Sequence, residues 1–275
     1  MAVDIYNLRD DQYNNNSGSD IKMVEINPIE SCNRRCSFCP RSDSKKYPNT
    51  KNKISFETCK NISSQLKSIN FTGWVSFVGF GEPLLHSSLE ECINIIRQNN
   101  PYIKFEVNTN GDFLTTNKIE SLYRCGCTNI NVSMYDNDIS YNINELKGDI
   151  PINIVFRHHY DKNLNYNLNL INRSNITYGN TILNLNSPCY LPFYKLMIDW
   201  NGDILPCAND WSRTIKFGNI NTQNIKEIIN GDTSVKFKTS LCTGTRIQMP
   251  CSKCNACGTI RGEKEFNNFK QNYRL

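Results

Sequence analysis

The chain lacks any apolar stretch long enough to span a bilayer, and its first residues, MAVDIYNLRDDQ, are acidic and polar where a secretory signal would be basic and then apolar. A protein with neither membrane anchor nor export signal is expected in the cytoplasm. A basic arm is missing too: the net charge of +5 is spread along the sequence, and the pairs Arg34-Arg35 and Lys45-Lys46 stand alone. No nucleic-acid partner is indicated. The 13 cysteines are an odd number and are clustered, so in a reducing compartment they point to metal or cluster ligation rather than a disulfide framework. Cys59, Cys92, Cys125 and Cys127 fall outside the clusters and are expected to be buried as small hydrophobes.

With 275 residues, 39% hydrophobic and 21% charged, the chain can bury one main core with an appendage. Residues 1–20 read as a polar tail. From 21 to 186, strand-like and helix-like segments alternate. Strands are expected at Met23–Pro28, Trp74–Val78, Ile103–Thr109, Asn129–Met134, Ile152–Phe156 and Thr181–Leu185. Helices are expected at Ser55–Ile69, with Ser55 as N-cap, and at Ser88–Gln98 and Thr116–Tyr123. Repeated strand–helix units imply parallel strands with right-handed crossovers, and six are too few for a closed eight-stranded barrel. The fold expected is α/β, a partial (βα)6 TIM-like barrel. From 187 to 262 the periodicity yields to Cys, Pro and Gly, with a hairpin turning at Asn201-Gly202-Asp203 and short helices at Ile225–Ile229 and Ser234–Leu241. This reads as a second, cysteine-rich module, and 263–275 as a C-terminal tail.

CNRRCSFC places Cys32, Cys36 and Cys39 directly after the first strand, at the end of a barrel where active sites sit. Three thiolates spaced four and then three apart can hold three irons of a cubane and leave the fourth iron open to a ligand. Structural zinc wants four closed ligands, and no fourth Cys or His lies within about twenty residues. The motif resembles the CxxxCxxC signature of the radical S-adenosylmethionine (SAM) superfamily, and Phe38 fits the aromatic residue that usually precedes the last cysteine. The resemblance implies a 4Fe-4S cluster that chelates and cleaves SAM to a 5'-deoxyadenosyl radical, with a flavodoxin- or ferredoxin-type electron donor.

Other segments extend the resemblance. GFGEPLL is similar to the family's GGEP motif, where close backbone approach needs Gly81 and Glu82 receives the methionine ammonium; Phe80 departs from the usual glycine. Asn108 and Ser133, at the ends of the third and fourth strands, match positions that touch the adenosyl ribose. Arg157, ending the fifth, matches a cation set against the SAM carboxylate.

Cys189, Cys207, Cys251 and Cys254 form a second set, which by spacing alone could close a cubane or a zinc site. Together with CYLPFYKLMIDWNGDILPCANDW and IKFGNI, they resemble the SPASM/twitch extension of radical SAM proteins. A CxxCxxxxxC element is missing, so one auxiliary 4Fe-4S cluster is expected, making two in all. Cys257 competes with Cys254 for the last ligand position, and Cys242 is a spare.

A fully ligated auxiliary cluster suits electron acceptance. In size and in the Cys189–Cys207 interval the chain is similar to the radical SAM dehydrogenases of aminoglycoside biosynthesis. Oxidation of an alcohol on a sugar, nucleotide sugar or aminocyclitol is therefore expected, with Arg173 the candidate to contact the reacting hydroxyl. Peptide or protein modification is the alternative. A non-enzymatic iron–sulfur or zinc protein is the third reading, disfavoured by GFGEP and by the placement of CNRRCSFC.

Overall fold

Alternate residues of the first strands face opposite ways, and only one of the two sets is wholly apolar, the other pairing Met23 with Glu25 and Trp74 with Ser76. The computed structural model describes residues 20–135, 143–158, 186–244 and 246–275. In it β1 (Met23–Ile26), β2 (Trp74–Phe77), β3 (Lys104–Thr109), β4 (Cys127–Met134) and β5 (Asn153–His158) are parallel neighbours. Val24, Ile26, Val75, Phe77, Phe105, Val107, Ile130 and Val132 are buried in one core with residues of the crossover helices. These helices are α1 (Phe56–Ser68), α2 (Leu89–Gln98) and α3 (Thr116–Arg124), followed by the short α4 (Ile143–Lys147).

Helix α1 begins where Ser55 accepts a hydrogen bond from the Thr58 N–H at 3.0 Å, and it buries Cys59, Ile62 and Leu66 at helical spacing. Helix α2 answers with Leu89, Cys92, Ile93 and Ile96. Cys59, Cys92, Cys125 and Cys127 are all buried, as expected of small hydrophobes.

The opposite face of the sheet is polar. The register sets Glu25 beside Ser76, Ser76 beside Glu106, Glu106 beside Asn129, Asn108 beside Asn131 and Ser133 beside Arg157. These side chains share the face opposite the helices α1 to α3, and Ser76, Glu106, Asn129 and Asn131 on it are buried. The expected strand Thr181–Leu185 lies outside the described residues.

The cysteine-rich segment does not form a sheet of its own. After α5 (Leu191–Tyr194), β6 (Lys195–Ile198) joins β1 in parallel, and β7 (Asp203–Leu205) and β8 (Gly218–Asn219) continue antiparallel. The sheet order is β5-β4-β3-β2-β1-β6-β7-β8. The predicted hairpin is β6–β7, and it extends the barrel sheet at the edge of β1. Helices α6 (Ile225–Asn230) and α7 (Asp232–Cys242) lie close to their predicted ranges.

The expected C-terminal tail is instead a helix, α8 (Glu263–Tyr273). Phe266 and Phe269 are buried, with ring centroids 5.0 and 5.2 Å from Phe193 of α5, and Tyr190 lies 4.6 Å from Phe266. The helix therefore braces the segment that follows Cys189. Phe266→Ala is expected to cost about 3–5 kcal/mol, as large-to-small changes in an aromatic core do. Urea melts at fixed protein concentration check it, and a loss under about 1 kcal/mol would mean that the helix is peripheral.

Candidate active site

Cys32, Cys36 and Cys39 sit on the loop leaving the C-terminal end of β1, each half-buried. The loop is tied down without using the thiols. The Cys32 N–H donates to Asn49 Oδ1 at 3.0 Å while Asn49 Nδ2 donates to Cys32 O at 2.8 Å, and the Cys39 N–H closes a turn onto Cys36 O at 2.9 Å. Burial pushes the Cys32 thiol up, and nearby Glu82 and Cys39 push the same way; the Arg34 backbone N–H and Arg41 oppose them.

A second brace comes from the loop after β3. Asp112 accepts from Asn33 Nδ2 at 2.6 Å and from Arg34 Nε at 2.7 Å, and Asn110 Nδ2 donates to Asn33 Oδ1 at 2.9 Å. NTNGD thus clamps the residues between Cys32 and Cys36. Phe38 packs on Tyr135 at the end of β4, ring centroids 4.9 Å apart.

The GFGEP segment lies against the same loop. A Cβ on Gly81 would fall 2.1 Å from Ile29 O and 2.6 Å from Ser31 O, so no side chain fits there. Glu82 is 3% exposed and accepts from Thr109 Oγ1 at 2.6 Å, the Asn110 N–H at 2.8 Å and the Leu84 N–H at 3.0 Å. A carboxylate offers about four lone-pair positions, so one is left for a ligand donor. Burial raises the Glu82 pKa above its ordinary value, against the pull of these hydrogen bonds.

Asn108 gives its Nδ2 to Ser76 Oγ at 2.6 Å, and its buried Oδ1 has no partner. Buried acceptors are rarely left unpaired, and an orphan here suits a ligand hydroxyl. Ser133 and Arg157 stand side by side across β4 and β5 on the same polar face. Arg173 lies outside the described residues.

Phe80, the departure from the usual glycine, is buried against Trp211 with ring centroids 4.9 Å apart, and the Arg213 guanidinium lies 4.4 Å above its ring. Beneath it, Asn27 Oδ1 accepts the Phe80 N–H at 3.0 Å, while Asn27 Nδ2 reaches Asp199 Oδ1 at 2.7 Å and Glu30 Oε1 at 3.1 Å. Arg213 binds Asp199 Oδ2 at 2.7 Å and also Glu30, and Arg41 pairs with Glu30 at 3.6 Å while donating to Phe80 O. This network joins the first cysteine loop, the GFGEP turn and the β6–β7 hairpin. Asn27, Arg41 and Asp112 carry no motif that sequence reading could single out, whereas Asn110 lies in the NTNG run that ends the third strand.

The second cysteine set converges. Cys189, Cys207, Cys251 and Cys254 line one cavity, with Arg246 and Phe237 in its wall. Burial raises the Cys207 thiol well above its usual value, and neighbouring Cys251, Cys254 and Cys189 add to that; burial likewise brings Cys251 to about 12. Thiols gathered in this way bind a metal centre as thiolates, so ligation would release their protons. Among the described residues no three His, Cys, Asp or Glu side chains stand close enough to share a single metal ion. With one thiolate for each iron, the four cysteines that line this cavity could hold a cubane.

Cys257 is exposed, outside the cavity wall, and bonds to Thr259 Oγ1 at 3.1 Å, which holds its thiol below the usual value. Cys242 also lies outside that wall. Gly258 is required beside Cys189: its φ is +71°, and a Cβ would meet Cys189 Sγ at 2.5 Å.

Known proteins are similar to this chain in sequence and in fold. The profile of the radical SAM superfamily matches residues 26–141, and that of an iron–sulfur cluster-binding domain, SPASM, matches residues 189–258. The S-adenosyl-L-methionine-dependent 2-deoxy-scyllo-inosamine dehydrogenase of Niallia circulans is 28% identical over 250 residues, covering 89% of this chain and 96% of its own. The crystal structure of BtrN in complex with AdoMet and 2-DOIA superposes with a TM-score of 0.76 at 27% identity, covering 88% of this chain and 96% of that one. Native anSMEcpe with bound AdoMet shares the fold, with a TM-score of 0.60 at 14% identity over 91% of this chain and 97% of that one. The clamped cysteine loop, the GFGEP turn and the four-thiol cavity thus occur together in a chain that belongs to the radical SAM superfamily of enzymes, with a SPASM iron–sulfur cluster-binding domain completing its sheet.

Proposed function

We propose that this enzyme oxidises a secondary alcohol of a small polyhydroxylated molecule, an aminocyclitol, sugar or nucleotide sugar, to the ketone. The observation that carries the reading is the second cavity, where four thiols line one space; a cubane held by all four would have no open iron for substrate. A cluster closed in that way is suited to taking up an electron. The similarity to a dehydrogenase of 2-deoxy-scyllo-inosamine, over nearly the whole of both chains, supports the same class of substrate.

When bound, SAM and its cluster supply the hydrogen-abstracting 5'-deoxyadenosyl radical and the auxiliary cluster supplies a one-electron acceptor. Loss of the carbinol hydrogen atom, the hydroxyl proton and one electron from the alcohol would leave C=O. Cys32, Cys36 and Cys39 would hold the first cluster, and Cys189, Cys207, Cys251 and Cys254 the second. Phe38, Gly81 and Glu82 would bound the methionine end of SAM, Asn108 and Ser133 its ribose, and Arg157 its carboxylate.

The polar face of the sheet offers hydroxyl-bearing substrates acceptors and a cation in one layer. Lys195 Nζ donates to Glu25 Oε1 at 2.8 Å, and Glu25 Oε2 is buried without a partner. Arg173, by its place in the sequence, is the candidate to orient the reacting hydroxyl. Among the described residues no helix is long and apolar enough to cross a membrane. A cytoplasmic enzyme reduced by a flavodoxin- or ferredoxin-type donor, with no nucleic-acid partner, completes the reading.

The test is isotopic. With a candidate polyol deuterated at the carbinol carbon, the reconstituted enzyme is expected to place deuterium in 5'-deoxyadenosine and to form ketone in equal amount. If no such alcohol transfers deuterium while a peptide does, the dehydrogenase reading fails and the peptide-modifying alternative replaces it.

A further inference from the structure

Arg246 is 2% exposed and heads the fully buried side chains by size. Its donors end on main-chain carbonyls: Nε on Ser187 O at 3.1 Å, Nη2 on Pro188 O and Cys257 O, each at 3.0 Å, and Nη1 on Ala256 O. Those carbonyls satisfy the hydrogen bonds but leave a whole positive charge in the interior. Among the described residues Arg246 forms no ion pair with a carboxylate. A buried charge without a counterion costs several kcal/mol, so something anionic belongs beside it.

The cavity wall identifies the anion. Arg246 lines the same space as Cys189, Cys207, Cys251 and Cys254. It also meets Cys189 over Gly258, where an added Cβ would lie 2.5 Å from Cys189 Sγ and 3.3 Å from Arg246 Nη2. Four thiolates outweigh the positive charge of a cubane core, and reduction adds one more negative charge to the whole.

We propose that Arg246 is the buried counter-charge of the auxiliary cluster, a positioning residue that favours the reduced state and so equips this cluster to receive the substrate's electron. The charge lies in a low-dielectric wall, where a fixed cation stabilises the more negative state. Its four carbonyl contacts have a second effect. They join the two residues before Cys189 to the stretch after Cys254, so the ligands from the two ends of the domain are held in register.

The inference rests on the auxiliary-cluster assignment under Proposed function, and the experiment separates the two. The auxiliary cluster is titrated by EPR in reconstituted holoenzyme, and its signal is isolated in a parallel sample carrying Cys32→Ala, Cys36→Ala and Cys39→Ala. In Arg246→Gln the ratio of reduced to oxidised cluster, read at the wild-type midpoint, is expected to fall by about tenfold or more, equivalent to about 59 mV for a one-electron couple. Arg246→Lys keeps the charge and is expected to stay within about threefold of wild type.

A clamp with no electrostatic role would lower cluster content without moving the midpoint. The proposal is overturned if Arg246→Gln retains the cluster at the wild-type midpoint, if Arg246→Lys shifts as far as Arg246→Gln, or if Arg246→Lys cannot hold the cluster. Wild-type enzyme holding only about four irons per chain would instead remove the auxiliary-cluster assignment itself.

Discussion

Replacing Cys32, Cys36 and Cys39 together with alanine is expected to abolish reductive cleavage of SAM while leaving the chain folded and the second cysteine set loaded. Reconstituted enzyme should hold about eight irons per chain and the triple variant about four, the content of one cubane. The fold should survive because the loop is held by groups other than its thiols. The Glu30 N–H bonds to Asn52 O at 2.9 Å and the Ile54 N–H to Pro28 O at 2.8 Å, while Arg34 and Asn33 grip Asp112. The second set is carried by α5, the β6–β7 hairpin and the segment around Cys251; Cys39 packs against the small apolar cluster of Phe80, Met197, Leu205 and Trp211 beside the hairpin, a contact that alanine's methyl group retains in part. Iron analysis, 5'-deoxyadenosine release under dithionite and far-UV circular dichroism together read the outcome. Retained SAM cleavage, or loss of all eight irons, would contradict the assignment of two independent clusters.

The elements that sequence reading placed correctly are those whose burial pattern is local. Helix α1 announces itself through Ser55 and the spacing of Cys59, Ile62 and Leu66, and β1 to β3 lie within two residues of their expected ends. The cysteine motifs were equally legible, because ligand spacing is written along the chain. Long-range pairing is not. Nothing in KLMI says that this strand will lie beside MVEI, some 170 residues earlier, yet that pairing makes one sheet of what read as two modules.

Helix α8 had a readable signal in Phe266, Phe269 and Tyr273, with Glu263 in its first turn and Lys270 in its last. With only two buried aromatics, Phe266 and Phe269, and no long apolar stripe, that signal is weak beside a polar C-terminal composition. Arg246 and Asn27 were illegible for a different reason. An isolated Arg or Asn is ordinary on a surface, and only folding shows that one is fully buried with a cluster cavity beside it and the other holds the Phe80 backbone. Cys254 and Cys257 lie close together in sequence, and the direction in which each faces, with Cys254 in the cavity wall, is a property of the fold that spacing does not carry.

Glu82→Gln should distinguish a ligand-binding carboxylate from a mere prop, because the two roles respond to pH with opposite sign. Three donors from β3 and its own turn hold Glu82 in place, and burial lifts its pKa above the ordinary value of about 4.3. If the ionised carboxylate receives the SAM ammonium, affinity in the cluster-loaded enzyme weakens as pH falls through that raised pKa. Glu82→Gln should bind SAM about 10- to 100-fold more weakly at neutral pH, the worth of a charged hydrogen bond, and should lose that pH dependence. Stability without SAM moves the other way. A carboxyl whose folded pKa exceeds its unfolded one binds its proton more tightly in the native state, so lowering the pH through the interval between the two stabilises the wild-type fold. That contribution disappears as pH rises above the folded value, and it is missing from Glu82→Gln throughout. Equilibrium dialysis of SAM and urea melts over the same pH series measure both slopes. SAM affinity that is flat with pH and equal in the two proteins would leave Glu82 only the task of joining the GFGEP turn to Asn110.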